Sequence, residues 1–183
     1  LADNFVKKVQ EDIDGNLWVE TQNGYSIYNT SLESFITTPR EVMFNFGING
    51  DPKLVYISSN KDMWIYIAGK GLYLIKPEAK LVYSVSLGSA DITKGDVKDI
   101  IESGDEVILV LGNGTLVALN KADAEFRWKE DMIAKKEGKG HDDEFSLFVD
   151  KTGNLWTYGP LGLWIYNLEK RGWNNKMITL VIN

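Results

Sequence analysis

Residues 15–29 read Gly15-Asn16-Leu17-Trp18-Val19-Glu20-Thr21-Gln22-Asn23-Gly24-Tyr25-Ser26-Ile27-Tyr28-Asn29, and residues 153–167 read Gly153-Asn154-Leu155-Trp156-Thr157-Tyr158-Gly159-Pro160-Leu161-Gly162-Leu163-Trp164-Ile165-Tyr166-Asn167. Both begin Gly-Asn-Leu-Trp, carry a central Gly and end Ile-Tyr-Asn, so one unit has been copied. Residues 61–76 fit the same frame with one insertion, through Met63-Trp64 and Gly71-Leu72-Tyr73-Leu74-Ile75, and residues 105–120 fit it with Ile108 in place of the Trp. The equivalent positions Trp18, Trp64, Ile108 and Trp156 are spaced by 46, 44 and 48 residues. Repeats of this length are either four-stranded β units or helical pairs.

Local pattern decides for strands. Each copy holds short runs of aromatic and β-branched residues bounded by Gly, Asn, Asp or Pro, and none carries an apolar stripe at helical spacing over about ten residues. In the first copy strands are expected at 6–11, 17–21, 25–28 and 34–37, with Asp14-Gly15 and Asn23-Gly24 as tight-turn dipeptides. Strands follow at 54–58, 63–67, 72–75 and 81–85, then at 97–102, 107–111, 115–119 and 125–128, and last at 145–149, 155–158, 163–166 and within 172–181. The stretches 63–67, 107–111 and 163–166 are apolar on both faces, so each sheet must be covered twice. Sheets stacked around an axis achieve this, and the outermost strand stays polar, as in Lys129-Glu130-Asp131. The fold class expected is all-β, a β-propeller segment of four four-stranded antiparallel blades at about 5–40, 52–88, 95–131 and 144–181, forming one segment over 1–183.

Composition narrows the functions. The 183 residues are 44% hydrophobic and 11% aromatic, which excludes a disordered chain. The net charge of -6 has the wrong sign for neutralising phosphates, so no nucleic acid partner is expected. No apolar run is long enough to span a bilayer, and the chain opens on Leu1 without a basic stretch leading into an apolar one, so a targeting segment is expected to be absent or removed. Without cysteine there are no disulfides and no thiolate metal sites, which leaves the compartment open.

The run from Val9-Gln10-Glu11-Asp12-Ile13-Asp14-Gly15 to Asn16-Leu17-Trp18-Val19, followed by Asn23-Gly24 and Ile27-Tyr28-Asn29, resembles the two-component regulator propeller repeat of the periplasmic sensor region of Bacteroidetes hybrid sensor kinases. Phe148-Val149-Asp150-Lys151-Thr152-Gly153-Asn154-Leu155-Trp156 is similar, whereas the second and third copies depart at Lys61-Asp62-Met63 and Asp105-Glu106-Val107. The resemblance implies a periplasmic ligand-sensing module of a hybrid two-component signalling protein that recognises a carbohydrate. It also implies a ring of about seven blades, of which four are a part, and a parent protein that is a histidine kinase. The expected partners are an oligosaccharide or other small molecule and adjoining blades or a second copy, since an open arc exposes the apolar faces of its first and last blades. Two alternatives remain: a scaffold propeller of a bacterial surface or secretion apparatus, and a propeller lyase.

No catalytic, cofactor or metal set is expected. Asp12-Ile13-Asp14-Gly15-Asn16 looks like the start of a calcium loop but lacks its further ligands, and a hairpin turn is the simpler reading. Ala68-Gly69-Lys70-Gly71 lies between strands rather than opening a helix, so it is no phosphate cradle. No serine sits in a Gly-x-Ser-x-Gly elbow. The sequons at Asn29 and Asn113 would matter only in a eukaryotic secretory setting. Trp18, Trp64 and Trp156 recur and are expected in the core between blades. Trp128, Trp164 and Trp173 do not recur, and Trp164 and Trp173 are ligand-binding candidates, with His141 in the connection 132–144, read as the longest of the chain.

Overall fold

Four antiparallel sheets, each of four strands in sequential order, account for nearly all the regular structure. They are seen in a computed structural model that describes residues 1–87, 96–132, 145–159 and 162–174. The first sheet consists of β1 (Val6–Glu11), β2 (Leu17–Thr21), β3 (Gly24–Asn29) and β4 (Ser34–Thr37), and the second of β5 (Leu54–Ile57), β6 (Met63–Ile67), β7 (Gly71–Lys76) and β8 (Leu81–Val85). The third runs through β9 (Val97–Ser103), β10 (Glu106–Leu111), β11 (Thr115–Asn120) and β12 (Phe126–Asp131), the fourth through β13 (Ser146–Val149), β14 (Asn154–Gly159), β15 (Gly162–Asn167) and β16 (Gly172–Trp173). The strands lie where the alternation of turn dipeptides and apolar runs places them, and the chain is a four-blade propeller segment. It divides into two compact units, Leu1–Val85 and Ser86–Asn183, with two blades each.

One element departs from the all-strand expectation. The connection from β4 to β5 contains a helix, α1 (Pro39–Asn45), closed by a capping box in which the Thr38 hydroxyl accepts from Glu41 N–H and the Glu41 carboxylate accepts from Thr38 N–H. Pro39 fixes the φ of the first turn, where its missing N–H costs nothing. This connection, residues 38–53, is longer than the 132–144 stretch read as the longest.

In the first unit the core is built between its two blades. Trp18, Tyr25 and Ile27 of the first sheet meet Val55, Met63, Ile65, Ile67 and Ile75 of the second, and the α1 connection adds Met43 and Ile48. Trp18 stands opposite Ile27 across β2 and β3, so both side chains share the face turned to the next blade. The Gln10 side-chain amide completes the seam: its Nε2 donates to Val55 O at 2.8 Å and its Oε1 accepts from Ile57 N–H at 2.9 Å, as a strand backbone would.

The second unit repeats the arrangement with other residues. Ile108, Val110, Leu116, Ala118 and Met132 of the third blade pack against Phe145, Leu147, Leu155, Trp164 and Tyr166 of the fourth. The Asp99 carboxylate on β9 accepts Leu147 N–H of β13 at 2.8 Å. The run 63–67 is buried throughout, as is 107–111, but Leu163 and Ile165 are only half-buried. Trp156 shares their exposed face with Phe148 and Tyr158, so it is half-buried while Trp18 and Trp64 are fully enclosed. The difference is one of neighbours, since the core of this unit forms on the opposite face of the fourth sheet.

Candidate functional site

The two well-matched repeats use their first carboxylate for a turn. Asp12 accepts from the backbone N–H groups of Asp14 and Asn16, from Asn16 Nδ2 and, at 3.0 Å, from the Trp18 indole. Asp150 accepts from Thr152 N–H and hydroxyl, Asn154 N–H and Nδ2, and Trp156 Nε1 at 2.7 Å. These donors, Trp156 first, hold the Asp150 carboxyl well below the usual carboxylate range. With their lone pairs spent on N–H and O–H donors, these oxygens are not arranged for a cation. The glycines that follow, Gly15 and Gly153, take positive φ of 78° and 75°, the left-handed conformation the turn requires. In the second repeat Ser58 stands where the Asp would be, Lys61 takes the left-handed position at φ 65°, and the buried Trp64 indole N–H has no partner among the described residues.

The non-recurring aromatics lie in the second unit. Trp164 is 5% exposed in the core, edge-on to Phe145 with ring centroids 6.4 Å apart. Trp173 is half-buried, edge-on to Tyr166 at 5.0 Å, and its buried indole N–H has no partner among the described residues. Tyr166 in turn stacks on Trp128 at 5.4 Å. Arg171 lies over the Trp128 ring and forks onto Glu106 at 2.8 and 3.2 Å, while Trp128 Nε1 donates to the same carboxylate. This cluster ties the third blade to the fourth with its polar groups largely matched. His141 lies outside the described residues.

Two clefts flank the α1 connection in the first unit. One, about 620 Å³, is mainly apolar and lies between Ile13, Phe46, Pro77 and Val82. The other, about 600 Å³, is polar: Lys7 of β1, Glu20 of β2, Asn23 of the β2–β3 hairpin, Arg40 of α1, and Asp51 and Lys53 before β5 line it.

The walls of the polar cleft are fixed from several sides. Arg40 Nε and Nη2 fork onto the Asp51 carboxylate at 3.1 and 2.6 Å, tying the first turn of α1 to the loop before β5. That bond and the opposite charge push Arg40 up, and hold Asp51 below its ordinary value. Asn23 Nδ2 donates to Asp3 at 2.6 Å and Gln22 N–H to Phe5 O at 3.1 Å, so the first residues of the chain brace the hairpin. The buried Tyr25 hydroxyl accepts Val55 N–H at 3.0 Å and closes the floor. The result is a recess of hydroxyl, amide and charged groups able to exchange hydrogen bonds with a polyhydroxylated molecule.

None of these lining residues is legible as a set in the sequence. They come from positions scattered between 7 and 53 and share no spacing. The one available signal was Thr38-Pro39-Arg40-Glu41, a helix start inside a connection between blades.

No family's model matches the chain, and no curated protein matches it. Among solved structures it is similar to the extracellular domain of BT4673 from B. thetaiotaomicron, assigned as a one component system, with 16% identity and a TM-score of 0.63 over 96% of this chain and 22% of that one. It is also similar to the extracellular domain of BT3049 from the same organism, assigned as a hybrid two component system, with 16% identity and a TM-score of 0.61 over 96% of this chain and 24% of that one. AztD from Citrobacter koseri matches at 8% identity and a TM-score of 0.61, over 94% of this chain and 46% of that one. The chain thus spans less than a quarter of the two B. thetaiotaomicron structures. Among the described residues no helix is long and apolar enough to cross a membrane.

Proposed function

We propose that this chain is part of the extracytoplasmic, periplasmic sensing region of a hybrid two-component signalling protein, a segment of a propeller of about seven blades that recognises a carbohydrate. The polar cleft beside α1 carries the reading. It is formed at a blade-to-blade connection, where propellers place variable loops on a rigid scaffold, and its lining of carboxylate, amide and ammonium groups suits sugar hydroxyls. The likeness to extracellular sensor domains supports the setting.

The segment binds and the catalysis belongs elsewhere in the parent protein. Ligand held in the cleft would favour one arrangement of the sensor over another, and only that differential affinity would bias the signal. Trp173, partly accessible beside Arg171, is a further proposed contact, and Trp164 and His141 are tested with it by alanine substitution. The exposed face of the fourth blade, with Phe148, Trp156 and Tyr158, is the surface an adjoining blade would cover.

Isothermal titration of the chain against a glycan panel tests the reading. A saccharide that binds the native chain and loses at least about tenfold in affinity in Glu20→Ala supports it. Absence of heat with every glycan, for this chain and for the intact sensor alike, refutes it.

A further inference from the structure

We infer that the ligand of the cleft beside α1 is an anionic saccharide, a sugar bearing a carboxylate or a sulfate ester, selected by Lys7 and Lys53. The inference rests on the reading of this cleft as a saccharide site and adds the charge of the occupant.

Five charged side chains line the recess: Lys7, Arg40 and Lys53 against Glu20 and Asp51. They are not equivalent. Arg40 and Asp51 answer each other through two hydrogen bonds, and that pair is part of the wall. Among the described residues neither Lys7 nor Lys53 has a carboxylate within ion-pair distance, although the Lys53 charge contributes to holding Asp51 down. Once the wall pair is set aside, the lining side chains present two ammonium groups and one carboxylate in a chain of net charge -6, the nearby Asp3 carboxylate being engaged by Asn23.

The remaining groups divide the labour. Glu20 is half-buried and, among the described residues, engages no cation, so it is placed to accept hydrogen bonds from sugar hydroxyls. Asn23 and Gln22 offer amide groups to the same ligand. A neutral sugar would use these three and offer the ammonium groups only neutral hydroxyl acceptors. An acidic one gains charge-assisted hydrogen bonds, which are about twice as strong as neutral ones. A carboxylate and a sulfate ester share this chemistry.

The test compares four probes on the native chain by calorimetry: tetragalacturonate, its methyl ester, a sulfated galactan tetrasaccharide and the same galactan tetrasaccharide without sulfate. The expected result is binding of an acidic probe at least about tenfold tighter than its neutral counterpart, with that margin lost in the Lys7→Gln/Lys53→Gln double variant. Tetragalacturonate alone identifies a carboxylate ligand, and the sulfated probe alone a sulfate ester. The thermal midpoint of the double variant should equal that of the native chain, which separates ligand loss from misfolding. Neutral probes that bind as well as acidic ones, unaffected by the double variant, overturn the charge inference and leave the saccharide site standing. No binding by any of the four probes overturns the charge inference, and absence of heat with every glycan of the panel, for this chain and for the intact sensor alike, overturns the saccharide site with it.

Discussion

The Asp150 carboxylate accepts the indole N–H of Trp156 at 2.7 Å, and in the first repeat Asp12 accepts that of Trp18 at 3.0 Å across the same six-residue interval. The turn between the first two strands of a blade is thereby anchored to the ring in its second strand. Removing Asp12 leaves the enclosed Trp18 N–H and two backbone N–H groups without acceptors. Asp12→Ala is expected to cost about 2 kcal/mol in urea unfolding of the chain.

The same contact carries a pH dependence. Asp150 has a folded-state pKa below its unfolded value, so its contribution is fully present above the unfolded pKa of about 4 and is lost as pH falls through the folded value. The chain should therefore lose stability on acidification below that range. Asp150→Asn should flatten this part of the profile, as followed by thermal midpoints across a pH series; an unchanged profile would remove Asp150 from the account.

The second repeat can be repaired. Its buried Trp64 N–H has no partner among the described residues, Ser58 standing in place of the acid, and Asp62 occupies the place of Asn16 and Asn154. Ser58→Asp alone sets two carboxylates together and is expected to gain nothing. Combined with Asp62→Asn and Lys61→Gly, it recreates the cradle seen twice and should stabilise by about 1–3 kcal/mol, from the new indole bond and relief of a left-handed Lys.

Gln10 offers a fourth measurement. Gln10→Leu keeps the side-chain volume but strips Val55 O and Ile57 N–H of their partners at the blade seam. A loss of about 1–3 kcal/mol is expected, together with faster hydrogen exchange at Ile57. Unchanged exchange there would show that the amide is not holding the seam.

The sheets were legible in the sequence because two signals coincide at each strand: a short β-branched or aromatic run and a Gly- or Asn-bearing turn at its end. The fourth blade shows the limit of such a reading. Trp156 has the same local sequence as Trp18, yet its enclosure depends on what lies across the seam, which no local pattern encodes. Helix α1 escaped for a related reason. Its seven residues are too few to display a 3.6-residue period, and only the cap at Thr38 betrays it. The cleft followed from that helix, so it escaped as well.

The third repeat has Ile108 where the others have Trp, so its turn has no indole to satisfy, and Glu106 beside that turn instead accepts from Trp128 of its own blade and reaches the next blade through Arg171. The two units therefore weight their seams differently, with the neutral amide of Gln10 beside one long, exposed Lys61–Glu11 pair in the first and an ionic fork at Glu106 in the second. Raising the ionic strength should leave the Gln10 bonds untouched and loosen the Glu106 fork, the Arg171 side chain being 45% exposed and open to screening. One architecture thus contains a joint whose main clasp answers to the surrounding electrolyte and another whose main clasp does not.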